Sequence, residues 1–281
     1  MSETSVLRLP VLLINLDRAV DRCNFMKTQL AAAGLHNVTR ISAVDGRTVG
    51  RVPEYRPHEW RSRWELTPGE LGCFLSHRTA WKQVVASQEV TVILEDDILL
   101  CSQFGETIDA VAGRLGGKDL VKLDWLDMPV RRGALPANDS GVELSSLLQP
   151  VPSSAAYVLT PEAAEVLLHR SQAFCDTVDD FIFSQQKHLS LFQLERPICM
   201  QAQNSGCASP RASVPAQLSV SQISGETRDK GPVLYRLKKE ICRAASRCRE
   251  QLVTDPVLRL TGGRLDPIEG PSNQPLALDV T

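Results

Sequence analysis

Apolar residues crowd the start of the chain in a run interrupted by one polar residue, Val11-Leu12-Leu13-Ile14-Asn15-Leu16. A run of this length predicts a strand buried on both faces. Asp17 to Ala33 follows with Phe25, Met26 and Leu30 at helical spacing, and Gly34 stops the helix. Val38 to Ala43 predicts a second strand with Asp45-Gly46 as its turn. Strand, helix and strand in that order point to a parallel α/β sheet. Val52 to Trp64 mixes aromatic, basic and proline residues without a period and predicts a loop. Thr67 then caps a helix, with Pro68 first inside it and Glu70 placed to complete a capping box. That helix is predicted to run to Ser87 and to bury Leu71, Phe74, Leu75, Val84 and Val85.

The pattern repeats further along. Val90 to Leu94 predicts a strand, and it runs straight into Glu95-Asp96-Asp97. Phe104 to Leu115 predicts a helix and Leu120 to Asp124 a short strand. Residues 126 to 153 are rich in Pro, Gly, Asn and Ser and predict a long surface excursion. Ala155 to Leu159 predicts a strand, Thr160-Pro161 a capped helix to Arg170, Asp176 to His188 a helix, and Leu191 to Leu194 a strand. The division expected is one large domain over 1–200, an irregular linker over 201–233, a basic helical segment over 234–260 and a disordered tail over 261–281.

Composition narrows the classes. At 43% hydrophobic and 23% charged, the 281 residues hold ample apolar content for a core. A net charge of -2 gives no global basic field, which argues against nucleic acid as a partner. No run approaches the length of a membrane span, and the first apolar run lacks a cleavage signal, so a cytoplasmic protein is expected. The eight cysteines form no close pair of the zinc or redox kind and predict reduced thiols, several in the core.

Four clusters hold candidate chemistry. Glu95, Asp96 and Asp97 end a strand, where alternation puts Glu95 and Asp97 on one side and Asp96 on the other. Three adjoining charges need a positive offset, which a hard divalent cation with oxygen ligands supplies; a solvated acidic turn is the alternative. Asn15-Leu16-Asp17-Arg18 with Asp21-Arg22 follows the first strand, where a nucleotide sits in a parallel sheet; an ordinary helix start is the alternative. Gly72 to His77 puts a small residue and the pair Ser76-His77 inside an apolar helix, either beneath a site or as a buried hydrogen-bonded pair. Asp179-Asp180 either serve a helix N-terminus or supply a general base. His188 reads as a surface histidine.

Five ordered segments resemble glycosyltransferase family 25, which includes bacterial lipooligosaccharide galactosyltransferases and collagen-type galactosyltransferases. They are Ile14 to Arg18 with Asp21-Arg22, Arg40 to Gly46, Gly69 to His77 with Trp81, Leu94 to Asp97, and Ala155 to Leu159 followed by Asp179-Asp180. The resemblance covers roughly residues 9 to 200, the span of one large α/β domain. It implies a GT-A type, Rossmann-like domain with a mostly parallel central sheet. It also implies a UDP-sugar donor, most often UDP-galactose, with Mn2+ (or Mg2+) at the acidic motif and inversion at the anomeric carbon. Asp97 and Glu95 then take the metal. Asn15, Leu16, Asp17, Arg18, Arg22, Asp96, Ser76 and His77 face the donor, and Asp180, with Asp179 beside it, is the candidate base. The expected acceptor is a glycolipid or oligosaccharide of a lipopolysaccharide core, with a protein hydroxyl and a non-catalytic scaffold as rivals. Arg236, Lys238, Lys239, Arg243, Arg247 and Arg249 make the C-terminal helix a candidate for an anionic inner-leaflet surface, a solvated helix face being the alternative.

Overall fold

A computed structural model of the chain describes residues 9–59, 63–134, 141–204 and 227–271. Its centre is a seven-stranded sheet in the order β2-β1-β3-β8-β5-β9-β7. The members are β1 (Val11–Asn15), β2 (Val38–Ser42), β3 (Thr91–Glu95), β5 (Asp119–Lys122), β7 (Leu144–Ser146), β8 (Ala156–Leu159) and β9 (Ser190–Leu194). β1, β2 and β3 are parallel, β5 and β9 run the same way, and β8 and β7 run against them. The mostly parallel α/β architecture is therefore as expected. Alternation along β1 sorts the core: Leu12 and Ile14 join the apolar cluster of one sheet face, Val11 and Leu13 that of the other.

The helices are α1 (Val20–Ala32), α2 (Pro68–Ser87), α3 (Phe104–Ala112), α4 (Pro161–Arg170) and α5 (Val178–Phe183). Phe74 and Trp81 of α2 and Leu167 of α4 cover one face, and Met26 and Leu30 of α1 with Phe104 and Ile108 of α3 cover the other. α2 starts on the predicted capping box: the Thr67 hydroxyl accepts from the Glu70 amide, and the Glu70 carboxylate accepts from the Thr67 amide. Its buried face differs from the one expected. Gly72, Ser76, His77, Ala80 and Trp81 are buried with Phe74 and Val84, while Leu71, Leu75 and Val85 are only half-buried. A stripe of small and polar residues faces the sheet because α2 lies close over the strand ends.

Two glycines permit that approach. A Cβ on Gly46 would lie 1.5 Å from the Pro68 carbonyl oxygen, and one on Gly72 would lie 2.4 Å from that of Val44. Nothing larger fits at either position.

Several expectations are corrected. α1 begins at Val20, which leaves Asp17 and Arg18 in the preceding turn. β3 ends at Glu95, and the chain turns through Asp96 and Asp97 into β4 (Ile98–Leu100), which pairs with β10 (Cys199–Gln201). Strand alternation therefore does not extend across the acids. α5 stops at Phe183, well short of His188. The stretch 126–153 is no simple excursion: it holds β6 (Pro129–Arg132) and edge strand β7, and it buries Val130, Leu144 and Val151. Residues 261–271 are not a disordered tail. They hold β11 (Arg264–Pro267), paired antiparallel with β6, and the Ile268 carbonyl accepts from Trp125 Nε1 at 2.9 Å. The rest of the expected tail and most of the expected linker lie outside the described residues.

The basic segment forms α6 (Val233–Arg249), a wide turn over 250–254 and α7 (Asp255–Leu260). Cys23, Cys101 and Cys199 are buried free thiols, as expected, and His188 is exposed.

Candidate functional site

β1, β2 and β3 end together, and their carboxyl ends open onto a cavity of about 310 Å3. Open α/β sheets bind ligands at this edge. Ile14, Asn15 and Leu16 line it from β1, Ala43 to Arg47 from the β2 turn, Cys73 and Ser76 from α2, and Glu95, Asp96 and Asp97 from the end of β3. The three acids face one cavity despite their adjacency, because the chain turns there.

Each acid has a different set of neighbours. Asp96 is saturated: its Oδ2 accepts from Asn15 Nδ2 at 2.7 Å, and its Oδ1 lies 2.8 Å from Arg22 Nη2. Burial pushes its carboxyl up, and the Arg22 charge opposes that. Glu95 accepts from His77 Nε2 at 3.1 Å and from Ser154 Oγ at 3.0 Å. Burial alone would raise Glu95, but the His77 hydrogen bond and charge, followed by Ser154, hold it below its usual value. Asp97 has only the edge of Arg22, at 3.3 Å, and its Oδ1 is buried without a hydrogen-bond partner. Burial and then the Glu95 charge push it up to about 7. The offset that three acids require is thus met by Arg22 and His77 for two of them and left open at Asp97.

The supports reach deep into the molecule. Trp81 Nε1 donates to the Tyr157 hydroxyl at 2.9 Å, and that hydroxyl lies 2.8 Å from His77 Nδ1. The Glu95 carboxylate only accepts, so His77 carries a proton on Nε2, facing it. Ser154 is set by a fully buried pair: Lys122 Nζ lies 2.6 Å from Asp124 Oδ1, and Asp124 Oδ2 accepts from Ser153 Oγ at 2.7 Å. This pair holds the turn at Ser153, whose φ is +69°.

Of the residues expected to face a donor, Asn15, Leu16, Arg18, Arg22, Ser76 and Asp96 line this cavity, and several of them also brace its edge. Asn15 spends its amide on Asp96 and the Ala19 carbonyl, and its carbonyl accepts from Arg40 Nε. Arg22 clamps the acids. Ser76 Oγ accepts from the Val44 amide and donates to the Gly72 carbonyl, pinning α2 to the β2 turn. His77 is fully buried below Glu95. Asp17 does not line the cavity; it accepts from Arg40 and Ser42, and the Arg40 hydrogen bond lowers it. Leu16 and Arg18 do line it.

Sequence reasoning missed Asp45, Arg47 and Ser154 as site residues; they line the two cavities. Asp45 is shared by Arg18 and Arg47; the Arg47 hydrogen bonds, followed by the Arg18 charge, hold it well below the carboxylate range. Two guanidinium groups on one carboxylate leave the cavity mouth locally positive, a signal present in the Asp45-Gly46-Arg47 run beside Arg18.

A second cavity, of about 480 Å3, meets the first at Cys73, Glu95 and Gln201. Asp179 lines it, and its Oδ2 accepts weakly from the Ser153 amide at 3.4 Å. Asp180 does not. It lies 3.8 Å from Arg63 in a different cavity, against α6, where burial and then Asp179 raise it. The two neighbouring acids therefore serve different spaces, and Asp179 is the one beside Glu95.

For a cation, one trio (Cys73, His77 and Glu95) brings its donor atoms within 4.8 Å of one another. Both His77 nitrogens already have partners there, and burial, followed by the nearby acids, keeps Cys73 a thiol. The open oxygen of Asp97 beside Glu95 is the better fit to a hard ion.

Residues 8–182 match the family model described as Glycosyltransferase family 25 (LPS biosynthesis protein). The chain belongs to glycosyltransferase family 25. It is 36% identical over 126 residues to a Glycosyltransferase 25 family member of Aedes aegypti, a match covering 40% of this chain and 20% of that protein. It is 33% identical over 127 residues to human Procollagen galactosyltransferase 2, covering 41% of this chain and 19% of that protein. Over 174 residues it is 32% identical to bovine "Probable inactive glycosyltransferase 25 family member 3", covering 56% and 28%. The matched stretch spans about a fifth of the first two relatives and just over a quarter of the third.

Proposed function

We propose that this family 25 member is an inverting glycosyltransferase that moves a hexose, galactose foremost, from a UDP-sugar to a hydroxyl of a lipopolysaccharide or lipooligosaccharide core. The observation that carries it is Asp97, a buried carboxylate with an unpartnered oxygen beside Glu95 at the edge of three parallel strands. A carboxylate in that state favours a cation. Glu95 and Asp97 would hold Mn2+ or Mg2+, and when bound the ion would neutralise charge on the departing nucleoside diphosphate. The chain's own groups do the rest. Arg18 and Arg47 favour the anionic end of the donor by their charge. The second cavity offers room for the acceptor, and Asp179 on its wall is the candidate base for the hydroxyl proton. Two cavities meeting at Glu95 suit a hydroxyl that approaches opposite the diphosphate, and such an attack inverts the anomeric carbon. We assign the transferase unit to residues 1–200 and its setting to the cytoplasm, at the inner face of the membrane.

The test is a panel of UDP-sugars with the purified chain, with Mn2+ or a chelator, read as UDP release. Turnover that needs the metal supports the proposal; a folded protein idle on every donor overturns it. Mn2+ should also raise the melting temperature of the wild type but not of Asp97→Asn, a readout independent of turnover.

A protein hydroxyl is the second acceptor reading, favoured by the likeness to human Procollagen galactosyltransferase 2. Mass shifts on lipid or on protein in producing cells decide between the two. The bovine relative's name keeps a non-catalytic role in view. Cellular glycans unchanged by Asp97→Asn would support that role.

A further inference from the structure

We propose that α6 and α7 form a docking surface for an anionic lipid bilayer, lying flat in its headgroup region. Tyr235 is the buried residue of α6, packed against Trp64 with ring centroids 5.1 Å apart. At 3.6 residues per turn, Val233, Leu237, Ile241, Ala244 and Cys248 share one side of the helix, with Leu234 on its margin. Tyr235 and Lys239 lie on the opposite side, so the apolar stripe points away from the body. Leu234, Leu237 and Ile241 are 71%, 56% and 60% exposed.

The stripe does not stop where α6 stops. Residues 250–254 form a wide π-type turn, which takes an extra residue. That residue re-phases the chain. Leu258 returns to the body and is buried, while Leu252, Val253, Val257 and Leu260 stay exposed. From Val233 to Leu260 the stripe is about 40 Å long at the helical rise.

Soluble surfaces rarely leave so long an apolar stripe open. The charges beside it identify the occupant. Arg236 and Arg247, with Glu240 beside them, border one edge, and Lys238 and Arg249 the other, so both edges are net basic. An apolar arc with basic borders and a polar remainder is the pattern of a helix lying in an anionic interface. A second copy on the same stripe would set basic border against basic border in either direction, a repulsion that disfavours a dimer. Among the described residues no helix is long and apolar enough to cross a membrane. The stripe therefore lies on the bilayer rather than in it.

The test is sedimentation of the full chain with vesicles of phosphatidylcholine alone and of phosphatidylcholine mixed with phosphatidylglycerol. Pelleting is expected only with the mixed vesicles and should weaken as salt rises. The double variant Leu237→Ser/Ile241→Ser should bind about tenfold more weakly or worse, with circular dichroism unchanged because both side chains are exposed. Lys238→Glu/Arg249→Glu keeps the stripe, reverses one border and should lose binding as well. Three results would overturn the proposal: no pelleting, equal pelleting on neutral vesicles, or a dimer in light scattering that the serine variant abolishes. None of these readouts needs turnover, so the outcome stands apart from that of the donor panel.

Discussion

The cleft at the ends of β1, β2 and β3 and the helical arm of α6 and α7 treat polar and apolar groups in opposite ways. In the cleft, charged groups are taken out of water and almost every one is given a partner. Asn15, Arg22, His77 and Ser154 each hold an acid, and each is held in turn. In the arm, apolar groups are left in water and few have partners in the protein. A buried polar network is costly unless satisfied, so it fixes positions to fractions of an ångström and makes one unsatisfied oxygen conspicuous. An exposed stripe fixes nothing inside the molecule and acquires meaning only against something outside it. Chemistry is sought where a polar group lacks a partner, and docking where an apolar one does.

The sharpest way to break this contrast is within the acid triplet. Asp96→Ala leaves the buried Arg22 guanidinium without its main partner and should cost about 3–5 kcal/mol of stability, read by urea unfolding. Asp97→Asn should leave the fold standing, since Oδ1 has no partner and Oδ2 only the edge of Arg22, whose main partner is Asp96, yet lower UDP-sugar turnover at least about a hundredfold, roughly 2.7 kcal/mol. If Asp97→Asn destabilises as much as Asp96→Ala, the two acids are equivalent structural groups and the difference drawn between them fails. Gly72→Ala forces a Cβ against the Val44 carbonyl and should cost about 1–3 kcal/mol, with turnover falling as α2 lifts from the strand ends. Tyr157→Phe removes the hydroxyl between Trp81 and His77 and should cost about 1–2 kcal/mol, with an accompanying fall in turnover as Glu95 loosens. At the other extreme, Ile241→Ser in the arm should change stability by under about 0.5 kcal/mol.

Local signals made part of this architecture legible. β1 is a nearly continuous apolar run, α2 announces itself with Thr67, Pro68 and Glu70, and the acids follow the strand that presents them. What could not be read depends on distant partners. Arg22 of α1 lines the cavity, but its guanidinium is buried against Asp96 and Asp97, which arrive from the end of β3. Residues 126–153 and 261–271 look irregular because neither strand of the β6–β11 pair is apolar. They order each other through backbone pairing and through Arg132, which bonds both Glu195 and Asp266. Asp179 and Asp180 are adjacent in sequence, and only the packing of α5 shows that they face different cavities. In the Gly72 to His77 run, Gly72 packs close against Val44, and Ser76 and His77 are the buried hydrogen-bonded pair that the sequence offered as one of two readings.

The arm is fastened at both ends. Tyr235 anchors its start beside Trp64, and Arg131 grips its far end through Asp255 at 2.7 Å and Glu250 at 3.2 Å, just before β11 closes onto β6. A span pinned twice acts as a strut and not as a tether. Whatever lies beneath it meets the cleft at one tilt and one height, so reach toward an acceptor is set by rigid geometry and not by search. Arg131→Ala together with a cut between Leu260 and Arg264 would convert the strut into a leash.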